Sequence, residues 1–200
     1  DRPAPRRDAR GLLARDQALF AIHRPETSEQ LQQARHRLVF DEFLLLQLSL
    51  MQRRAALRQR SAPVLHGGVE HQGLVGRFLS LLPFELTGAQ KRVLAEIEQD
   101  LVRPEPMARL VQGDVGSGKT VVAIAALLRA VEAGCQGALM APTEVLAAQH
   151  YRNLCSWLPP LHVSVELLTG STPRRSRRQI LSDLSGGTLR ILVGTHALLE

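Results

Sequence analysis

The stretch Gly113-Asp114-Val115-Gly116-Ser117-Gly118-Lys119-Thr120 fits the pattern GxxxxGK[ST] at every fixed position. Glycines allow successive backbone N–H groups to turn inward and cradle phosphate oxygens. A helix starting at the end of such a loop adds its partial positive charge. Lys119 supplies a compact charge for the β- and γ-phosphates, and Thr120 a hydroxyl for Mg²⁺. Only Lys91 and Lys119 of the 25 basic residues are lysine, so a lysine at this one position argues for a requirement. A planar guanidinium would not fit the same loop. The chemistry expected of the stretch is binding of a nucleoside triphosphate with Mg²⁺, with Asp114, Val115 and Ser117 filling the loop between its glycines. Kinases, GTPases, transporters and motors all share such a loop, so it does not say what the energy is used for.

The elements around the loop follow from hydrophobic period and punctuation. Arg109–Gln112 reads as a buried strand leading into the loop, and Thr120–Glu132 as the helix leaving it, with Gly134 as its C-terminal cap. Strands are expected at Ala138–Met140, Val163–Leu168 and Leu189–Val193, and helices at Glu144–Leu154 and Arg174–Leu184. This alternation implies an α/β fold, a parallel sheet with helices on both faces. Upstream, Gln90–Asp100 reads as an amphipathic helix ended by Pro104 and Pro106. Pro63, Gly67, Gly68, Gly73 and Gly76 break any long period, which marks 61–80 as a linker. Residues 1–60 read as helical. Thr27 or Ser28 is placed to cap a helix whose apolar stripe runs from Leu38 through Phe43, Leu46 and Leu50 to Met51, with Arg53, Arg54, Arg58 and Arg60 near its end. The expected organisation is therefore 1–60, a linker over 61–80, and an α/β region over 81–200.

Composition narrows the class. A hydrophobic fraction of 44% with 22% charged residues excludes wholesale disorder. The longest apolar run, Val121–Leu128, falls far short of the ~18 residues that a membrane span needs. The chain starts at Asp1 and shows no signal-peptide pattern, so it is read as a piece of a larger protein. Cys135 and Cys155 cannot build a disulfide scaffold or a CxxC metal site, which makes a reducing cytoplasm the default. The net charge is +6, with the excess concentrated in residues 1–60. Such a charge suits a phosphate-bearing partner, and equally suits a solvated helix face or an arginine-favouring genome.

Four further stretches resemble motifs of superfamily 2 helicases, in order. Phe84-Glu85-Leu86-Thr87-Gly88-Ala89-Gln90 is similar to the Q-motif region, which implies that Phe84 stacks on adenine and Gln90 reads its edge. An amide has the donor and acceptor that this edge needs. Ala141-Pro142-Thr143-Glu144-Val145-Leu146-Ala147-Ala148-Gln149-His150 resembles motif Ia, Leu168-Thr169-Gly170-Ser171 motif Ib, and Val193-Gly194-Thr195-His196-Ala197-Leu198-Leu199 motif Ic. The resemblance implies nucleic-acid contacts from Pro142, Thr143, Gln149, His150, Gly170, Thr195 and His196.

The narrowest resemblance is to the RecG family of branched-DNA helicases. Met107–Thr120 is similar to that family's phosphate-loop strand, and Ala34-Arg35-His36-Arg37-Leu38-Val39-Phe40-Asp41-Glu42-Phe43 to the helix joining its DNA-binding wedge domain to its motor. His23-Arg24-Pro25 resembles the end of the wedge domain. The resemblance covers about residues 20–60 and 78–200 and does not extend to 61–77. It implies a RecA-like P-loop fold preceded by a helical linker, with ATP and Mg²⁺ as cofactors. It further implies translocation on duplex DNA, action at stalled forks and Holliday junctions, a monomer, and a bacterial cytoplasmic location at the nucleoid. Single-strand-binding protein is a candidate partner. The family's DExH carboxylates would follow Glu200, so these 200 residues alone are expected to bind nucleotide without turning it over. Three readings remain open at this point. An Mfd-like transcription-repair translocase has a related loop, but usually with an aromatic residue where Ser117 stands. A small-molecule P-loop kinase would use Arg174, Arg175, Arg177 and Arg178 as a phosphate-clamping lid. A noncatalytic scaffold would only pack and bind DNA.

Overall fold

The computed structural model describes residues 10–66 and 73–199. It divides into two units, residues 1–60 and 61–200.

The first unit is a helical hairpin. Helix α1 (Arg15–His23) packs on the long α2 (Ser28–Arg58) through Ala18, Ala21 and Ala34. Small residues at the contact let the two backbones approach closely. Thr27 caps α2 by accepting from the Gln30 N–H at 3.1 Å. Arg37 is buried and pairs with Asp41 one turn on. The apolar stripe expected within this helix is real, but Phe43, Leu46, Leu50 and Met51 stand exposed on it.

The second unit is an α/β layer structure. Its sheet has three parallel strands, β1 (Gly137–Met140), β2 (Val165–Leu168) and β3 (Ile191–Gly194), in the order β1-β3-β2. Helix α5 (Lys119–Glu132) precedes β1, α6 (Glu144–Trp157) links β1 to β2, and α7 (Arg174–Ser185) links β2 to β3. Every residue of β3 is buried, as a central strand covered on both faces must be. One core layer joins Val121, Ile124 and Leu128 of α5 to Ala147 and Leu154 of α6 and to Ile191 and Val193 of β3. A second, smaller layer sets Ile180 of α7 against Leu168, Leu189 and Leu192. Helix α5 ends in a Schellman motif: Gly134 N–H donates to Val131 and Cys135 N–H to Ala130.

Two expectations are corrected. The stretch expected as a linker, 61–80, contains helix α3 (Leu74–Leu81), and Val75 and Phe78 enter the main core. Phe78 meets Trp157 with ring centroids 5.9 Å apart. Burying that ring outweighs the ~1 kcal/mol that a helix-interior Gly76 costs. Gly67 and Gly68 of the same stretch lie outside the described residues. The second correction concerns Arg109–Gln112, which forms no ladder, and Leu110 is 82% exposed. An apolar groove of about 540 Å³, lined in part by Met107, Val111, Ala126 and Leu139, opens beside it. Helix α4 (Gly88–Leu101) holds this segment instead. Arg109 donates to Asp100 at 2.6 Å and also pairs with Glu96.

Leu128→Ala should lower unfolding stability by about 2–5 kcal/mol, because the side chain is fully buried between α5 and the sheet. The outward Leu181→Ala should cost no more than about 0.5 kcal/mol. Urea titration checks both as shifts of the midpoint at constant slope.

Candidate functional site

The phosphate-loop pattern is built at the start of α5. Gly116 and Gly118 take φ of +82° and +80°, and Gly118 is the residue from which the helix departs. These left-handed conformations are open to glycine and strained for other residues. Ser117 N–H donates to the Asp114 carbonyl at 3.2 Å, which closes the loop. Among the described residues no acceptor takes the N–H of Gly118, Lys119 or Thr120. These are the donors that a phosphate would need. Lys119 curls back over the loop, with Nζ 2.7 Å from the Gly113 carbonyl and 2.6 Å from that of Asp114. Its ammonium thus sits at the mouth, while Val115 at the tip is fully exposed. Gly113 has Ser117 Oγ 2.6 Å from where a Cβ would stand, so the loop closes around that position too.

These features fit a nucleotide's phosphates: unbonded N–H groups, a movable cation and a half-buried hydroxyl on Thr120. Among the described residues no cluster of three His, Cys, Asp or Glu is placed to hold a metal alone. A divalent ion here would depend on Thr120 and on the phosphates themselves.

The Q-like segment reaches this loop directly. Thr87 and Gln90 form a capping box at the start of α4: Thr87 Oγ1 accepts from Gln90 N–H at 3.2 Å, and Gln90 Oε1 accepts from Thr87 N–H at 2.8 Å. Gln90 Nε2 then donates to the Ser117 carbonyl at 2.9 Å. An amide side chain offers two donors and two lone pairs. One of each is committed here, which leaves one donor and one acceptor for an adenine edge. Phe84, half-exposed, stands six residues before Gln90 at the entry to the helix. The brace from Gln90 to the loop is a role that sequence reasoning missed.

The other candidates gather along the sheet. Register pairs Met140 with Gly194 and Gly194 with Leu168, so all three parallel strands end at one level. Pro142 and Thr143 follow β1, Thr195 and His196 follow β3, and Thr169–Thr172 follow β2. Adjacent strands lie about 4.8 Å apart, which makes this a short row. Gly194 lets the strands close up: a Cβ there would meet the Leu168 carbonyl and come within 2.8 Å of Leu198. Pro142, Thr143, Gly170 and His196 are exposed along the row, and Thr195 is half-buried with no side-chain hydrogen bond among the described residues. Thr143 caps α6 through Leu146 N–H at 3.3 Å. Gln149 and His150 are not brought to the same edge. They lie six and seven residues beyond Thr143, about 9–10 Å along the helix. His150 is half-buried, with Nδ1 closed off from solvent.

Glu144, which the sequence left without a role, ties two members of the row together. Its carboxylate accepts from Ser171 Oγ at 2.9 Å and from Ser171 N–H at 3.2 Å. The turn is braced internally by Thr169 Oγ1 with Ser171 Oγ at 2.9 Å and by Thr169 N–H donating to Thr172 Oγ1 at 2.9 Å. The bonds from Ser171, its hydroxyl first and then its backbone N–H, hold Glu144 below the ordinary carboxylate range. The available sequence signal was an acid in the first turn of a Thr-capped helix.

A DEAD/DEAH box helicase model matches residues 87–200, which is more than half of the chain, and the chain belongs to that family. Among curated relatives it is 53% identical over 198 residues to the ATP-dependent DNA helicase RecG of Synechocystis sp., covering 99% of this chain and 24% of the relative. It is 49% identical over 184 residues to RecG of Bacillus subtilis, covering 92% of this chain and 27% of the relative. A solved structure of RecG bound to a three-way DNA junction superposes with a TM-score of 0.82 at 40% identity, covering 99% of this chain and 27% of that one. The chain thus spans about a quarter of the length of the relatives it matches.

Two outcomes follow from this geometry. Gly118→Ala should abolish nucleotide binding, because it strains a positive φ and drives a methyl into the Gln90 amide. Titration with a fluorescent nucleotide reads the loss. Glu144→Gln should lower the melting temperature at neutral pH. The difference from the native protein should vanish as pH falls through the lowered Glu144 value, since the native carboxyl is then neutral as well. The carboxylate is favoured by the fold, so its contribution is fully present above the unfolded value near ~4.3 and is lost only on the acid side. Melts between neutral and strongly acidic pH check the sign.

Proposed function

We propose that this chain is part of an ATP-dependent DNA helicase that remodels branched DNA, stalled forks and Holliday junctions, by coupling ATP hydrolysis to translocation on duplex DNA. In this reading residues 1–60 carry the end of a wedge domain and the helix joining it to the motor. The stretch 61–80 follows, with its helix α3 packed into the core of the second unit, and 81–200 are the first part of a RecA-like lobe. ATP is held by Gly113–Thr120, with Phe84 and Gln90 at the base and Mg²⁺ on Thr120. The cation would neutralise charge building up on the phosphates when bound. Lys119 and the N–H groups of the first turn of α5 orient the phosphates, and Gln90 fixes the loop that presents them.

The single observation that carries the reading is the row of Thr143, Thr195 and Gly170 at one end of a sheet, in a chain whose phosphate loop is formed at the start of α5. Thr143, Thr195 and the backbone at Gly170 suit the oxygens of a phosphodiester strand, so little sequence preference and strong salt dependence are expected. The names of the relatives, and the junction held by the RecG structure, support branched DNA as the substrate. No described helix is long and apolar enough to cross a membrane. Work at the bacterial nucleoid, as a monomer and beside single-strand-binding protein, belongs to the same proposal.

The test is ATP turnover by the full-length protein with fork DNA, linear duplex, single strands and RNA at one salt concentration. Forks should stimulate most, and Lys119→Ala should reduce turnover by at least about 10²-fold, as loss of a transition-state charge contact does. Equal stimulation by linear duplex, or stimulation by RNA alone, would contradict the branched-DNA reading.

A further inference from the structure

Helix α7 carries four arginines in its first five residues, Arg174, Arg175, Arg177 and Arg178, and no acid in its first turn. Among the described residues none of the four is ion-paired. This arrangement runs against the charge preferences of a helix. Arg174 and Arg178 are like charges four residues apart, which destabilises an isolated helix, and cations in the first turn oppose the macrodipole. Local rules are broken without structural gain mainly at functional sites. Elsewhere in the same unit the arginines that serve structure are paired: Arg109 with Asp100 and Glu96, and Arg129 with Glu98 and Glu132.

The position of the cluster says what the ligand is. Ile180 packs into the second core layer and fixes which side of α7 faces the sheet. At 3.6 residues per turn, Arg174, Arg175 and Arg178 lie roughly 120–160° around the helix from Ile180. All three are exposed, while Arg177 is half-buried. Helix α7 begins directly after the turn 169–172, which Glu144 and the turn's own hydroxyls hold in place. The outward guanidiniums therefore continue the row of strand-end loops from its β2 end.

We propose that Arg174, Arg175 and Arg178 form a phosphodiester-binding patch that extends the nucleic-acid path from the 169–172 turn onto the outer face of α7. Guanidinium forks match phosphate oxygens in pairs, and contacts of this kind position a strand without reading its bases. The patch rests on the DNA-motor reading above, because that reading brings a strand to the adjoining turn.

The test is equilibrium binding of duplex DNA by the full-length protein across a series of salt concentrations. The variants are Arg174→Gln/Arg175→Gln/Arg178→Gln and the charge-preserving Arg174→Lys/Arg175→Lys/Arg178→Lys. Each phosphate contact contributes about 0.9 to the slope of log affinity against log salt. The glutamine variant should flatten that slope by roughly 2–3 and lose at least about tenfold in affinity at low salt, equally for unrelated sequences. The lysine variant should keep most of the slope and the native melting temperature. The glutamine variant should melt no lower than the native protein, because the like-charge repulsion is relieved. DNA-free ATP turnover should be unchanged in both. An unaltered slope in a folded glutamine variant would overturn the patch. Failure of the native protein to bind DNA in a salt-dependent way would instead overturn the motor reading, and the patch with it.

Discussion

Parallel strands of one sheet end on the same side, and here they end at the same level. Met140, Gly194 and Leu168 are in register, so the loops after β1, β3 and β2 emerge side by side. The rest of the candidate nucleic-acid surface depends on that alignment. It requires a buried β3 between two neighbours, helices on both faces to cover it, and a glycine at 194 where strand ends and the following turn crowd together. A one-residue slip in any strand would move Thr143, Thr195 or Gly170 out of line and turn its side chains to the wrong face.

Short hydrogen-bonded ties then fasten the functional loops to one another. Gln90 links the start of α4 to the phosphate loop, and Glu144 links the start of α6 to the turn before α7. Both residues belong to the first turn of a Thr-capped helix. The caps position the helix ends, and the ties carry that position to a neighbouring loop. A change at one loop is therefore felt at the helix start tied to it.

Much of this was legible in the sequence because it is locally encoded. Thr27, Thr87 and Thr143 start helices through bonds to residues three positions on, and the GxxxxGK[ST] spacing forms the loop it suggests. Strands β1, β2 and β3 fall within a residue or two of the apolar runs that announce them. What failed depends on partners distant in sequence. Arg109–Gln112 has the composition of a strand, but a ladder needs a neighbour, and none of the described strands lies beside it. Helix α3 was hidden by Gly73 and Gly76, although the spacing of Val75 and Phe78 was its signal. Glu144 and Ser171 are 27 residues apart, and no local pattern joins them. Gln149 and His150, of the resembled motif, lie further along α6 than Thr143.

The loops after the three strands are proposed to form one continuous surface for a nucleic-acid strand. Amide hydrogen exchange of the full-length protein with and without fork DNA tests this most directly. Slowed exchange is expected together at 142–146, 169–175 and 195–198, with the outer end of α6 beyond residue 149 unchanged. Protection confined to other regions, with these three loops exchanging as freely as before, would contradict it.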